Sequence, residues 1–520
     1  MTDKPEAERL DDRSSLTLSR REFVGFIGAT LAASACGGLE QEQAPSAPLL
    51  AANPFSLGVA SGDPLSTGVV LWTRLAPEPI AGGGMPDEPV PVIWEVSRQP
   101  DFYGIEAYGW AWADPDFAHS VHVDVDGLEP DTWYYYRFRV GAQWTSPTGR
   151  TRTFPRPGES PVRLRLATAS CQNWRHGYYS AYRHLAAEEI DLVAFLGDYI
   201  YESGVQGPVR DHDGPRPKDL DGFRNRYGLY KSDPDLQAAH ARCPWIFTWD
   251  DHEVKNNYAD LDIPGVSVDE AKALRAAAYQ AYYEHMPLRI PAPDEPADMQ
   301  IYRRLQFGDL VNFHVLDGRQ YRTDQPCNDD AGLACGEEKD EANTMLGAEQ
   351  RAWLEGGLRA SKTTWNAIVQ QTVFASLNLG GGVLNPDQWD GYMVERQRLL
   401  SVFAEEGVRN VVVHTGDIHA AIFATLHRDA NDFDSEVVGV ECVTTSISSN
   451  GLSESRMPSD LIRRVMNNQK NIGYFDPDRR GYCVCEYTPE KFTVEYKSVS
   501  TVESREAELS VDGVFEIKRD

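Results

Sequence analysis

Four short apolar runs in this chain each end, with no spacer, in side chains able to hold a metal ion, and this constrains the fold more than any other feature. They occupy residues 164–171, 192–201, 245–253 and 411–419. In the second, Leu192-Val193-Ala194-Phe195-Leu196 has the unbroken hydrophobicity of a strand covered on both faces of a parallel sheet, and Gly197 lets the chain leave it tightly. Asp198 therefore stands at the carboxyl end of a strand, the edge at which open α/β sheets bind ligands. A lone aspartate there also serves as a cap or turn former. Four strand ends that together carry Cys171, Asp198, Tyr201, Asp250, Asp251, His252, Asp417 and His419 describe one site better than four separate turns.

A chain of 520 residues exceeds one ordinary hydrophobic core, so two domains are expected. Residues 54–155 read as short strands punctuated by turns, with the turn and tyrosine corner of a fibronectin-like β-sandwich at 128–136. After a Pro-rich seam at 154–157 the texture becomes α/β, and residues 160–520 read as the catalytic domain. Helices are expected over 177–189, 219–241 and 268–285, and a hairpin around Thr488-Pro489-Glu490-Lys491. Residues 502–520 show little amphipathic pattern, so no C-terminal lid helix is expected. The formal charge of −29 argues against a nucleic-acid-binding face, which needs the opposite sign. An acidic protein that handles phosphate must gather positive charge locally, and bound cations do so.

The N-terminus reads as an address. Ser19-Arg20-Arg21-Glu22-Phe23-Val24 and the apolar 25–35 match a signal for the twin-arginine export machinery, and the run is too short to stay as a membrane helix. Cleavage after Ala35 and lipidation of Cys36 are both open, so the signal spans 1–36, a tether follows over 37–53, and the product is periplasmic, a cell-surface lipoprotein or secreted. With Cys36 set aside, seven of eight cysteines remain, an odd number, so at least one has no intramolecular partner. Cys327 and Cys335 flank a polar loop containing Gly332 and are expected to be bridged. Cys483 and Cys485 share a strand face and are expected to pack as small hydrophobes, and Cys171, at a strand end, is the candidate for chemistry.

A carboxylate has lone pairs for two cations, so Asp198 is the natural bridge between metal ions. Cys171 as thiolate and Tyr201 as phenolate favour a trivalent or soft transition metal over magnesium, and the surrounding oxygens suit a hard cation. Each residue has a plainer reading: an inert buried thiol for Cys171, aromatic packing for Tyr201, a helix cap for residues 250–253.

The order Ser170-Cys171-Gln172, Gly197-Asp198-Tyr199-Ile200-Tyr201, Asp250-Asp251-His252-Glu253 and Gly416-Asp417-Ile418-His419 resembles the PhoD family of alkaline phosphatases, within the calcineurin-like metallophosphoesterases. Ser61-Gly62-Asp63-Pro64, Asp317-Gly318-Arg319, Asp387-Gln388-Trp389 and Arg480-Gly481-Tyr482 extend the resemblance over nearly the whole chain. It implies a metallophosphoesterase-type βα sandwich behind the all-β domain, ferric iron (Fe3+) and calcium (Ca2+) as cofactors, and Asp250 or Asp251, Asn257, Asp417 and His419 as further ligands. It also implies that His252 faces the substrate, that Glu253 orients it, and that Arg319, Lys255 and Asn256 are weaker candidates for phosphate contacts. The function so implied is an exported phosphatase acting on small phosphate monoesters and diesters. A phospholipase D-like diesterase and a surface-binding lipoprotein with a vestigial metal site are the competing readings.

Overall fold

The computed structural model describes residues 44–519 apart from 264, 331–333, 378–384, 453–462 and 465. The expected signal, Arg20, Arg21 and Cys36, lies outside the described residues, as does Gly332.

The strand Leu192–Phe195 pairs in parallel with Leu164–Ala169 on one side and Trp245–Phe247 on the other. Because successive side chains leave opposite faces, its two faces meet different neighbours. Val193 and Phe195 pack toward Tyr182, Tyr227 and Tyr279 of the helices Ser180–Ala187, Leu220–Lys231 and Val268–His285. Leu192 and Ala194 face Phe313, Ala367 and Val412, which belong to a second, seven-stranded sheet. In that sheet Val411–Thr415 lies between the parallel strands Trp365–Val369 and Asp432–Val443, and its outer face is covered by the helices Gly347–Ala360 and Met393–Phe403. The result is helix, sheet, sheet, helix, the βα sandwich expected. Cys483 and Cys485 lie between the sheets as buried apolar groups, and Cys327 and Cys335 form a disulfide, both as expected.

The helix Val268–His285 begins at a capping box in which Ser267 and Glu270 serve each other's backbone amides. The helix expected over 219–241 is two helices, Leu220–Lys231 and Pro234–His240, because Pro234 has no N–H to continue the first and Asp233 caps the second. Residues 502–520 are not patternless: Leu509–Lys518 is a strand on the edge of the first sheet. The all-β segment shares that sheet, since Val59–Gly62 pairs in parallel with Trp245–Phe247 and carries Val69–Arg74 and Ser120–Val125 beyond it. A five-stranded sheet closes over these strands on an apolar core of its own, and the Tyr134 hydroxyl accepts from the Glu129 amide at 2.9 Å, forming the expected corner.

Candidate metal centre

The strand ends converge closely. The Cys171 amide donates to the Gly197 carbonyl at 3.1 Å, and a Cβ at Gly197, where φ is 109°, would lie 2.4 Å from that of Asp250. Cys171, Asp198, Asn257, Asp417 and His419 all have φ between 55° and 62°. Left-handed backbone costs a residue with a side chain about 1–2 kcal/mol, so five such residues at one place are a conformation that the surrounding structure imposes.

Three groups of potential ligands meet at Asp198, one of them being Asp198 and Asp251 with the His252 ring. In the first, the ligand atoms of Cys171, Asp198 and His419 lie within 4.8 Å of one another. The Tyr201 hydroxyl joins them, donating to Asp198 Oδ2 at 2.7 Å with His419 Nε2 at 3.0 Å and Ser449 Oγ at 2.8 Å. His419 Nδ1 lies 2.7 Å from the Asn450 carbonyl, which fixes the proton on that nitrogen and leaves the Nε2 lone pair for a ligand role. Burial lowers the His419 pKa to about 3, so the ring is neutral. Burial, then the charge of Asp198, pushes the Cys171 thiol and the Tyr201 phenol well up, so each becomes an anionic ligand only beside a cation.

The second group is Asp198, Asp250, Asp251 and Asp417, again within 4.8 Å. Asp250 Oδ1 accepts from Arg319 Nε at 2.5 Å, while Asp250 Oδ2 is buried with no hydrogen-bond partner. Asp251 accepts the amides of His252 (2.8 Å) and Asn257 (2.6 Å), and Gln388 Nε2 donates to Asp417. Burial above all, with the neighbouring carboxylates, raises Asp198 and Asp250 well above the ordinary range despite His252 and Arg319. Four carboxylates in a dry cluster outweigh one guanidinium that is itself shared with Asp387. The orphaned oxygen, the excess of negative charge and the donor chemistry all fit bound cations.

His252 stands at the mouth of this cluster, its side chain 19% exposed. Its ring packs on Tyr201 with centroids 4.1 Å apart, and Nδ1 lies 2.7 Å from Glu202 Oε2. Burial lowers its pKa, but Asp251, Asp198 and Glu202 outweigh that and hold it well above the ordinary value.

Residues 166–496 match the family model of the PhoD-like phosphatases, and residues 41–155 match that of the PhoD-like phosphatase N-terminal domain. The chain belongs to the PhoD-like phosphatase family. It is 44% identical to alkaline phosphatase D of Bacillus subtilis (strain 168), the match covering 97% of this chain and 88% of that protein. A solved structure of PhoD, 45% identical, superposes with a TM-score of 0.87 over 91% of this chain and 92% of that one. A purple acid phosphatase from yellow lupin seeds, 12% identical, superposes with a TM-score of 0.53 over 89% of this chain and 73% of its own, which shows a shared fold. The chain is thus a PhoD-type phosphoric ester hydrolase with a metal cofactor.

Within this phosphatase site two expectations from the sequence are corrected. Glu253 does not orient His252. It is fully buried and accepts the amides of Asp198 (3.1 Å), Tyr199 and Asp250 (2.7 Å), so it pins the strand ends while Glu202 holds the ring. Arg319 is no phosphate contact: it is fully buried and its guanidinium is engaged by Asp250 and, at 2.7 and 2.8 Å, by Asp387. Asn257 is half-buried and its side-chain amide donates to Asp329 Oδ2 at 2.6 Å. Lys255 and Asn256 lie on the same rim, with the Asn256 amide 3.4 Å from Glu202 Oε1. Glu202, Ser449 and Asn450 were not singled out from the sequence. Glu202 had one signal, its place directly after Tyr201, whereas Ser449 and Asn450 come from a remote loop and had none.

Proposed function

We propose that this chain is an exported alkaline phosphatase that releases phosphate from small monoesters and diesters with ferric iron and calcium in its site. The observation that carries the reading is that two ligand groups of different chemistry share Asp198. Cys171, Tyr201 and His419 offer thiolate, phenolate and imidazole, which suit a trivalent or soft transition ion. Asp250, Asp251, Asp417 and Asn257 offer oxygen alone, which suits calcium. When bound, such ions bring the pKa of a water into the neutral range and offset charge on the phosphoryl oxygens.

The chain's own residues supply the rest. Glu202 holds His252 through Nδ1, so the proton for the departing alkoxide comes from Nε2. Asp251 ties the His252 and Asn257 amides to one carboxylate, which fixes the spacing between the acid and the rim. Arg20-Arg21 ahead of the apolar 25–35 supports twin-arginine export, and Cys36 directly after Ala35 is the residue a lipid anchor would use. Among the described residues no helix is long and apolar enough to cross a membrane.

A calcium chelator is expected to abolish turnover of p-nitrophenyl phosphate and its bis ester while iron content stays constant, and added calcium to restore both activities. Oxygen-held calcium exchanges readily, whereas an ion held by thiolate and phenolate does not. Undiminished activity after exhaustive chelation contradicts this reading, and loss of the bis-ester activity alone points to separate diesterase chemistry.

A further inference from the structure

The Cys327–Cys335 bridge lies next to Asn328 and Asp329, and Asp329 meets Asn257 at the rim of the site. Cys327, Asn328 and Asp329 follow one another in left-handed backbone, with φ of 63°, 53° and 58°. Single residues visit that region, but three in succession are disfavoured for L-amino acids and need an external constraint. The bridge supplies one, and the Cys327 amide, which donates to Glu337 Oε2 at 2.8 Å, supplies another.

Among the described residues the 327–330 segment meets the candidate ligands through Asn257. Asn257 Nδ2 donates to Asp329 Oδ2 at 2.6 Å, its carbonyl accepts from Gln325 Nε2 at 2.8 Å, and its amide donates to Asp251 at 2.6 Å. The backbone contacts place the residue, and among the described residues Asp329 is what acts on the side-chain amide. A carboxylate accepts and never donates, so the amide must turn its NH2 group to Asp329, and a flipped amide would set two oxygens against each other. The Asn257 side-chain oxygen is thereby directed away from Asp329. This is the relation by which an outer residue orients a metal ligand.

We propose that Asp329, held by the Cys327–Cys335 disulfide, is a positioning residue that presents the Asn257 oxygen to calcium, so that calcium affinity depends on the bridge being closed. The inference rests on the reading of Asn257 as a calcium ligand. Reduction by an external dithiol delivers two electrons and two protons to the cysteine sulfurs, the S–S bond breaks to two thiols, and the dithiol leaves as its own disulfide. Residues 327–329 are then free to leave the left-handed conformation, and Asp329 no longer faces Asn257.

The test is calorimetric titration of chelator-treated full-length protein with calcium chloride, free of any activity readout. Asp329→Ala is expected to weaken calcium binding about tenfold or more, the range for loss of a residue that orients a ligand, while Asp329→Asn, which keeps an acceptor oxygen, stays near wild type. Cys327→Ser with Cys335→Ser is expected to weaken binding like Asp329→Ala, and dithiol treatment to weaken wild type but not this double variant. Far-ultraviolet circular dichroism establishes that each variant is folded. Wild-type affinity in Asp329→Ala, or equal losses in Asp329→Ala and Asp329→Asn, overturns the positioning role, and an unaffected double variant overturns the part played by the bridge. Asn257→Ala separates the two levels: if it is weakened while Asp329→Ala is not, Asn257 stands as a ligand and only this inference fails. If Asn257→Ala is also unchanged, the ligand reading itself falls.

Discussion

Asp198→Ala is expected to abolish turnover and to strip the site of metal, whereas His252→Ala is expected to keep the metals and lose about a hundredfold or more in rate, the range for a missing general acid. The two residues are close in space, since the His252 amide lies 3.4 Å from Asp198 Oδ1, yet their places differ in kind. Asp198 belongs to both ligand groups and also receives the Tyr201 hydroxyl, so its removal breaks each group at once and leaves Asp250, Asp251 and Asp417 without the shared carboxylate. His252 lies within ligand distance of Asp198 and Asp251, but it spends Nδ1 on Glu202 and stands at the solvent-facing side of the cluster, so its removal leaves the thiolate–phenolate–imidazole group and the four-carboxylate group intact. Metal analysis of the two variants alongside steady-state rates checks the distinction. Loss of metal from His252→Ala would place that residue in the ligand set.

The second large effect is optical. A ferric ion bound by a phenolate absorbs visible light, because the filled phenolate orbitals donate charge into the half-filled metal d orbitals, and calcium, magnesium and zinc sites have no such transition. The Tyr201 hydroxyl is already aimed at the first ligand group, 2.7 Å from Asp198 Oδ2 and 3.0 Å from His419 Nε2, while its ring packs on that of His252. Wild type is therefore expected to be coloured, Tyr201→Phe to lose most of the visible band at matched iron content, and Cys171→Ser to shift it. A Tyr201→Phe spectrum identical to that of wild type would take the phenolate off the iron and return Tyr201 to a packing role.

The parts of this molecule that were legible in the sequence are those whose cause is local. The run at 192–196 could only be a strand covered on both faces, and its metal-competent ending announced the site; the capped, regular 268–285 was readable as a helix for the same reason. Pro234 after Asp233 was an equally local start signal, and reading 219–241 as one helix passed over it. The strand Leu509–Lys518 was hidden because its alternation is interrupted: Tyr496 pairs with Gly513 and Lys497 with Val511, so Asp512 is an extra residue that shifts the pattern to the other face. Pairing of Gly62 with Trp245 joins segments far apart in the chain, and no local pattern encodes it. The same holds within the site. The ligand types were visible at the strand ends, but whether Glu202 or Glu253 met His252 depended on how the chain turned after Asp198, where Gly197 and the left-handed Asp198 redirect the side chains that follow.

In the proposed arrangement one carboxylate, Asp198, joins a site for a transition ion to a site for a hard oxygen-loving cation. Elemental analysis of protein purified without chelators tests it most directly. Iron and calcium in the same preparation, both lost in Asp198→Ala, is the predicted result, and zinc as the sole metal, or an iron and calcium content that Asp198→Ala leaves unchanged, would contradict it.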